Sequence, residues 1–327
     1  MSFFTRTAGR VGPFAIVGCL LAAAVFIRPQ ATGLELPSLL IDVRDRFYGV
    51  AAPDETALWL VGGDGKIIHS TDEGATWARQ DAGVPDDLQD IAAWDAQRAL
   101  IVGNDGVILR TSDGGTTWTR VEPVIEGFRP AKLMRVKTGA DGFAVAVGEY
   151  GTVLITGDFG AGWRLGRPQQ DVTLIAVAIA GDHVWAAGEY GTLFASADRG
   201  ASFEEAPKPL EMTVNAIAFA DPQRGVAAGL AGTVAVTADG GQTWSAVDTG
   251  TLEHLFDVAW TNGSWLAAGD KGVFIRGTAA GELTRTWGPG EIDYMWHTEL
   301  LPRGEAVFVS GGNAGVLRGD VWTEFKG

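Results

Sequence analysis

The segment VGNDGVILRTSDGGTTW, residues 102–118, decides the fold, because most of the chain consists of approximate copies of it. It predicts two short strands and two tight turns. The first turn, residues 103–106, supplies Gly, Asn and Asp, which tolerate a positive φ. In the second turn, Asp113 can accept hydrogen bonds from the backbone of its own turn. Trp118 follows, and we expect its ring to be buried against a neighbouring sheet.

Two markers of this segment recur along the chain with one period. A glycine followed three residues later by another occurs at Gly62, Gly103, Gly148, Gly188, Gly229, Gly269 and Gly312, at intervals of 41, 45, 40, 41, 40 and 43 residues. The aspartate of the second turn recurs at Asp72, Asp113, Asp158, Asp198 and Asp239. Each of these five copies ends with an aromatic residue, namely Trp77, Trp118, Trp163, Phe203 and Trp244. The last two units lack the aspartate motif.

Each unit also carries β-branched residues with alternating apolar and polar positions ahead of its first glycine, a pattern typical of strands. Four strands per unit, in seven units, predict an all-β fold, a seven-bladed β-propeller, over residues 35–327. Two ways of closing the ring stay open. Either residues 39–43 pair with the last blade, or residues 321–325 complete that blade alone.

Residues 1–34 differ from the rest and predict an export segment. Arg6 and Arg10 precede an apolar run over residues 11–27. This order is compatible with an uncleaved membrane anchor, a cleaved signal peptide or, through Cys19, a lipoprotein signal. We therefore expect a body in the periplasm or otherwise outside the cytoplasm, tethered to the inner membrane if residues 11–27 are retained.

Charge and composition exclude several classes of function. After residue 34 the chain has 22 basic and 40 acidic residues, a net charge of −18, which argues against nucleic acid or an anionic lipid surface as the main partner. Cys19 is the only cysteine, so the body has no disulfide. The histidines fall in different units, so we expect neither a metal site nor a cofactor: His69, His183, His254 and His297. No feature of the sequence defines an oligomeric state.

The motif at residues 70–77, Ser-Thr-Asp-Glu-Gly-Ala-Thr-Trp, and its four relatives resemble the Asp-box, or BNR repeat, of sialidases and other propellers. The combined unit, with the glycine pair ahead of the box, resembles the photosystem II stability and assembly factor family and its relatives in non-photosynthetic bacteria, over about residues 40–322. This resemblance implies a non-enzymatic propeller that holds a membrane-protein subunit during assembly on the non-cytoplasmic side of a membrane. For the bacterial relatives it also implies a link to resistance-nodulation-division type exporters.

Two tetrapeptides are the candidates for a partner-binding surface. Gly-Glu-Tyr-Gly occurs at residues 148–151 and 188–191, which places Glu149, Tyr150, Glu189 and Tyr190 in the same turn of adjacent units. Two carboxylates and two phenol rings could together hold a basic or peptide segment. The alternative is two solvated hairpin turns. For the five Asp-box aspartates and their aromatic residues we expect turn formation and packing, and no catalytic residue.

The sequence thus predicts a scaffold or assembly factor that binds a membrane-protein complex. A carbohydrate- or peptide-binding module is an alternative. A sialidase-type glycosidase is a further one, but that class carries an Arg-Ile-Pro motif near its first strand, where this chain has Arg46-Phe-Tyr-Gly.

Overall fold

The computed structural model describes residues 40–42, 44–287 and 295–326, all within one compact unit, Leu40–Gly327. The predicted export segment, residues 1–34, lies outside the described residues. No helix among the described residues is long and apolar enough to cross a membrane.

The described residues form 28 strands, in seven four-stranded sheets. In the first four blades the strands are β1 (Phe47–Ala51), β2 (Leu58–Gly62), β3 (Lys66–Ser70), β4 (Ala78–Asp81), β5 (Leu88–Ala93), β6 (Ala99–Gly103), β7 (Ile108–Thr111), β8 (Thr119–Arg120), β9 (Leu133–Thr138), β10 (Ala144–Gly148), β11 (Thr152–Thr156), β12 (Arg164–Leu165), β13 (Leu174–Ala180), β14 (His183–Gly188), β15 (Leu193–Ser196) and β16 (Glu204–Glu205).

In the last three blades they are β17 (Val214–Phe219), β18 (Gly225–Gly229), β19 (Val234–Thr237), β20 (Ser245–Val247), β21 (Leu255–Thr261), β22 (Ser264–Gly269), β23 (Phe274–Thr278), β24 (Leu283–Trp287), β25 (His297–Arg303), β26 (Ala306–Gly311), β27 (Gly315–Arg318) and β28 (Val321–Glu324). Single 3-10 turns follow the second strand in five blades: Gly63–Gly65, Asn104–Gly106, Glu189–Gly191, Leu230–Gly232 and Asp270–Gly272.

Each sheet is an antiparallel meander of four consecutive strands. The first strands of successive blades contact one another, and β25 of blade 7 contacts β1 of blade 1, which closes the ring. The first strand is therefore the innermost one of each blade. The prediction of an all-β, seven-bladed propeller is confirmed.

The last blade is completed by its own fourth strand. β28 pairs with β27, and no strand among the described residues before β1 enters this sheet. Leu40 and Ile41 instead pack with their side chains against the core between blades 7 and 1. The ring is thus closed by side-chain contacts, and of the two predicted alternatives the second is confirmed.

The seventh unit departs from the predicted register. Its innermost strand is β25, which starts at His297. Gly311, and not Gly312, is the counterpart of Gly62. A Cβ at Gly62 would lie 1.9 Å from the Arg46 carbonyl oxygen, and one at Gly311 would lie 2.0 Å from that of Trp296. The repeat spacing failed here because this turn contains one extra residue before Gly315.

The core lies between blades. Seven clusters of buried apolar side chains each combine residues of two adjacent blades, as expected for sheets packed face to face around an axis. The aromatic residue that ends each Asp-box joins the cluster shared with the preceding blade. Trp77 of blade 1, for example, packs edge-on against Phe325 of blade 7 at a centroid distance of 5.2 Å.

The two faces of the ring carry different loops. On one face, which we call the connection face, the turn after each second strand meets the connections between blades. Asn104 N, for instance, donates to the Asp87 carbonyl oxygen at 2.9 Å. On the other, the Asp-box face, the turn after the third strand meets the loop after the first, as Gly114 N does with the Gln97 carbonyl oxygen at 3.0 Å.

Candidate partner-binding site

The Asp-box aspartate is held by its own turn. Asp113 Oδ1 accepts hydrogen bonds from the Thr111 hydroxyl at 2.8 Å and from Thr117 N at 2.9 Å, and Oδ2 accepts one from the Thr117 hydroxyl at 2.6 Å. The buried Thr111 hydroxyl accepts in turn from Gly115 N at 2.9 Å. Hydrogen bonds from Thr117 lower the pKa of Asp113, because they stabilise its charged form.

The other four Asp-box aspartates repeat this arrangement, each in its own blade. Asp72, Asp158, Asp198 and Asp239 each accept a hydrogen bond from the backbone N–H four residues further on. Hydrogen bonds from Ser202 and from Thr243 lower the pKa of Asp198 and of Asp239 to about 2. The five carboxylates are not brought together. Among the described residues, no group of His, Cys, Asp and Glu side chains could hold a metal ion.

The aromatic residues of the boxes share one packing position but not one hydrogen-bonding state. Trp118 Nε1 donates to Gln80 Oε1 at 3.0 Å, and the same oxygen accepts from Trp59 Nε1. Trp163 and Trp244 pack against the preceding blades, as Phe203 does. These rings belong to the contacts between blades and do not form an exposed row.

The two Gly-Glu-Tyr-Gly turns lie on the connection face, in adjacent blades 3 and 4. Both glutamates are half-buried and bind backbone of their own blade: Glu149 Oε2 accepts from Lys132 N at 3.3 Å, and Glu189 Oε2 accepts from Thr173 N at 2.7 Å. The carboxylates therefore fasten each turn to the connection that precedes its blade.

The two tyrosines differ in what they offer to a partner. Tyr150 and Tyr190 both have a left-handed backbone, with φ of 54° and 57°. The Tyr150 ring is 38% exposed and is covered by the Arg129 guanidinium, 4.7 Å from the ring centroid. Tyr190 is 70% exposed. Tyr190 therefore presents the larger open surface.

Exposed apolar side chains are concentrated on the connection face. Seven large hydrophobic residues are exposed in the described part of the chain, and six of them lie in loops of this face: Val124, Tyr150, Tyr190, Met212, Leu252 and Met295. The seventh, Val321, lies on the outermost strand of blade 7. Because exposed apolar residues on one face of a protein often mark an interaction site, the connection face is the candidate binding surface.

Sequence reasoning missed a set of charged residues at the axis of the ring. The third residue of the innermost strand is charged in four blades: Asp90, Arg135, Asp257 and Glu299. Three of these side chains bind the next blade. Asp90 Oδ2 accepts from Val136 N at 2.8 Å, Asp257 Oδ2 from Leu300 N at 2.6 Å, and Glu299 Oε2 from Val50 N at 2.7 Å.

Cations of blade 3 extend this network across the ring to blade 7. Lys137 Nζ lies 2.7 Å from Glu299 Oε1, and Arg135 Nη2 donates to the Thr298 carbonyl oxygen at 3.1 Å. Burial, followed by the negative charge of Glu299, raises the pKa of Asp90 to about 8. Burial also raises the pKa of Asp257. A charged residue in the middle of an apolar innermost strand was the signal that could have revealed this network.

A cavity of about 230 Å³ lies beside these groups, lined by Lys137, Asp257 and Pro302 among others. The axial carboxylates already accept hydrogen bonds from backbone N–H groups and from Lys137. The contacts of Lys137 and Arg135 with blade 7 hold together blades 3 and 7, which are not adjacent in the ring.

Comparison with known proteins agrees with this architecture. Residues 40–111 match the family model described as photosynthesis system II assembly factor YCF48. No curated protein gives a significant match. The chain is similar in fold to YCF48 bound to a D1 peptide (TM-score 0.68, 17% identity, 82% of this chain and 91% of that one).

Two further solved structures show the same fold. YCF48 from Cyanidioschyzon merolae has a TM-score of 0.68 and 17% identity, over 88% of this chain and 97% of that one. The WD40 propeller domain of Doa1 has a TM-score of 0.66 and 13% identity, over 84% and 93%. Fold and corner chemistry together define an Asp-box propeller. Over residues 40–111, this propeller is similar to the photosystem II assembly factors, and its fold is that of YCF48.

Proposed function

We propose that this chain is a non-catalytic scaffold outside the cytoplasm, which binds a membrane-protein complex through its connection face. The observation that carries the proposal is the concentration of exposed apolar side chains on that face. The family points the same way, because the matching model describes an assembly factor and one solved YCF48 has a D1 peptide bound. Resistance-nodulation-division type exporters are the candidate partners that the family context suggests.

The arrangement of the carboxylates supports a role without catalysis. A glycosidase needs two carboxyl groups at a fixed separation of several ångströms on either side of one bond. The Asp-box aspartates lie one per blade, each hydrogen-bonded to its own turn, and the axial acids are buried against backbone N–H groups. The binding role uses only surface, and it requires no cofactor.

Membrane tethering through residues 11–27 is part of the same proposal. The first described residues, Leu40 and Ile41, precede an innermost strand that starts at the connection face. Protease protection of a C-terminal tag in intact spheroplasts would test the side of the membrane.

Affinity purification of the full chain tests the proposal. A tag after Gly327 is used to recover the protein from detergent-solubilised membranes, and co-purified proteins are quantified by mass spectrometry. We expect an integral membrane protein to be enriched with the wild type and with Val321→Asp, but to be depleted about tenfold with Leu252→Asp, because a new charge would be desolvated in the interface.

Val321 is the matched control, because it is 68% exposed and Leu252 is 82% exposed, but only Leu252 lies on the connection face. Both variants should melt at the wild-type temperature. Recovery of no integral membrane protein, together with glycoside turnover by the purified chain, would contradict the proposal.

A further inference from the structure

We infer that the connection face binds one kind of occupant, a polypeptide segment whose apolar side chains are flanked by lysine or arginine. The segment lies across the loops from blade 4 to the connection between blades 6 and 7. This inference rests on the proposed function and deepens it, because it names the surface and the chemistry of the partner. It also shifts the site away from the turn that contains Glu149 and Tyr150.

The loops of this region form a continuous band, which we call the apolar arc: residues 189–191, 206–213, 230–232, 248–254, 270–272 and 295–296. Adjacent loops touch at each step along it. A Cβ at Gly191 would lie 2.0 Å from the Leu210 carbonyl oxygen. Ala231 N donates to His254 Nδ1 at 3.0 Å, and Gly272 N donates to the Met295 carbonyl oxygen at 2.6 Å. A bound segment would therefore meet no gap between blades.

Four exposed apolar residues lie along the apolar arc, about one per blade: Tyr190, Met212, Leu252 and Met295. They combine one aromatic ring with flexible aliphatic and thioether side chains, which adapt to an apolar partner surface. The neighbouring turn of blade 3 offers less, because Arg129 already covers the Tyr150 ring. Of the two Gly-Glu-Tyr-Gly turns, the one in blade 4 thus presents the open apolar surface.

The charges around the apolar arc favour a basic partner. Asp171, Glu211 and Asp248 are exposed, and none of them forms an ion pair with another residue in the described part of the chain. Of the basic side chains nearby, Lys208 is exposed, whereas Lys271 and Arg167 contact other side chains. Lys271 Nζ lies 2.9 Å from Glu253, and the Arg167 guanidinium lies 3.7 Å from the Phe194 ring centroid. Lysine or arginine beside the apolar residues of the segment would complement this field.

Site-specific photo-crosslinking of the full chain in its membranes tests the inference. The photoreactive residue p-benzoylphenylalanine replaces Tyr190 or Leu252 and, as matched control, Val321. After irradiation, the tagged chain is purified and the cross-linked peptide is sequenced by mass spectrometry. We expect the two arc positions, and not Val321, to cross-link to an extramembranous segment of a membrane protein in which Lys or Arg flanks apolar residues.

A pair of charge reversals tests the chemistry of the segment. Glu211→Lys with Asp248→Lys should reduce the yield of the Leu252 cross-link about fivefold at low salt and less at high salt. The matched pair, Glu282→Lys with Glu305→Lys, reverses two exposed acids at the Asp-box face and should leave the yield unchanged. Equal effects of the two pairs would show that only net charge matters and would overturn the inference.

The remaining outcomes separate the inference from the proposed function. Cross-links from the arc to lipid alone, to a second copy of this chain, or to an acidic segment would overturn the inference. So would a co-purifying membrane protein that cross-links only from Asp-box-face positions such as Gln242, but in that case the scaffold function would stand. Loss of both co-purification and cross-linking would overturn both.

Discussion

The aspartates of the Asp-box turns, which we call the Asp-box corners, and the acids at the axis have the same functional group in opposite surroundings. Asp198 is exposed, its hydrogen bonds come from its own turn, and its pKa is lowered to about 2 by Ser202. Asp90 is buried, it binds the N–H group of Val136 in the next blade, and burial raises its pKa to about 8. The carboxyl group in the Asp-box turn shapes its own blade, whereas the one at the axis joins two adjacent blades.

The two kinds of acid are also distributed differently around the ring. Asp-box corners occur in blades 1 to 5, whereas Asp257 and Glu299 at the axis belong to blades 6 and 7, which lack the box. Glu299 binds blade 1 through Val50 N and blade 3 through Lys137. Since blades 1 and 7 share no strand in the described part of the chain, these side-chain contacts help to close the ring.

The largest effect on stability is expected for Glu299→Ala. This change leaves Lys137 Nζ without its carboxylate and Val50 N without its acceptor, and it should lower the free energy of unfolding in urea by about 3 kcal/mol. The matched control is Glu305→Ala, an exposed acid two residues after the same strand, with an expected change below about 0.5 kcal/mol. Similar values for the two variants would refute a closing role for the axis.

The raised pKa of Asp90 predicts a pH dependence of known sign. Between about pH 4 and 8 the folded protein holds a proton on Asp90 that the unfolded chain releases, so this group contributes less stability as the pH rises towards 8. In Asp90→Asn, the slope of unfolding free energy against pH in this window should become less negative, by at most about 1.4 kcal/mol per pH unit. Parallel pH profiles of the two proteins would contradict this.

The Asp-box corner itself should show a smaller effect through its buried hydroxyl. Thr111→Val removes the donor to Asp113 and leaves Gly115 N without its acceptor, and it should lower the free energy of unfolding by about 1 to 2 kcal/mol. Thr119→Val, on an exposed edge strand, supplies the matched control and should change it by less than about 0.5 kcal/mol. Equal losses would indicate that the β-branched shape, rather than the hydroxyl, matters.

The Asp-box aspartates should give a pH dependence of stability opposite in sign to that of Asp90. The lowered pKa of Asp198 means that its contribution is present above pH 4 and is lost as the pH falls through about 2. Asp198→Asn should therefore resemble the wild type more closely in acid than at pH 7. Circular dichroism melts between pH 2 and 7 would measure this, and a difference that grows towards low pH would refute it.

Local chemistry explains what could be predicted from the sequence. The turn at residues 103–106 has Asp105 and Gly106 at φ of 51° and 70°, conformations that its own residues favour, so the repeat alone located the blades. The axial network could not be found in this way. Arg135 and Glu299 are 164 residues apart, and only closure of the ring brings them within 3.9 Å.

The candidate site could be predicted only in part, because some of its residues lie outside the repeat motifs. Met212 and Leu252 lie in connections between blades, where neither the glycine pair nor the Asp-box recurs, so no pattern singled them out. The tetrapeptides of blades 3 and 4 lie on the same face as most of the exposed apolar residues. Their glutamates, however, are engaged with the backbone, which could not be read from a turn motif.

Glu189 provides the smallest and sharpest comparison, because its carboxylate is intermediate between the corner and the axis. It is half-buried and accepts from Thr173 N at 2.7 Å. An amide oxygen can accept the same hydrogen bond, so Glu189→Gln should change the free energy of unfolding by about 0.5 kcal/mol or less. If the carboxylate only fastens the turn, Glu189→Gln should also leave partner recovery unchanged, whereas Tyr190→Ala should reduce it. A selective loss of partner with Glu189→Gln would instead show that the charge itself contacts the partner.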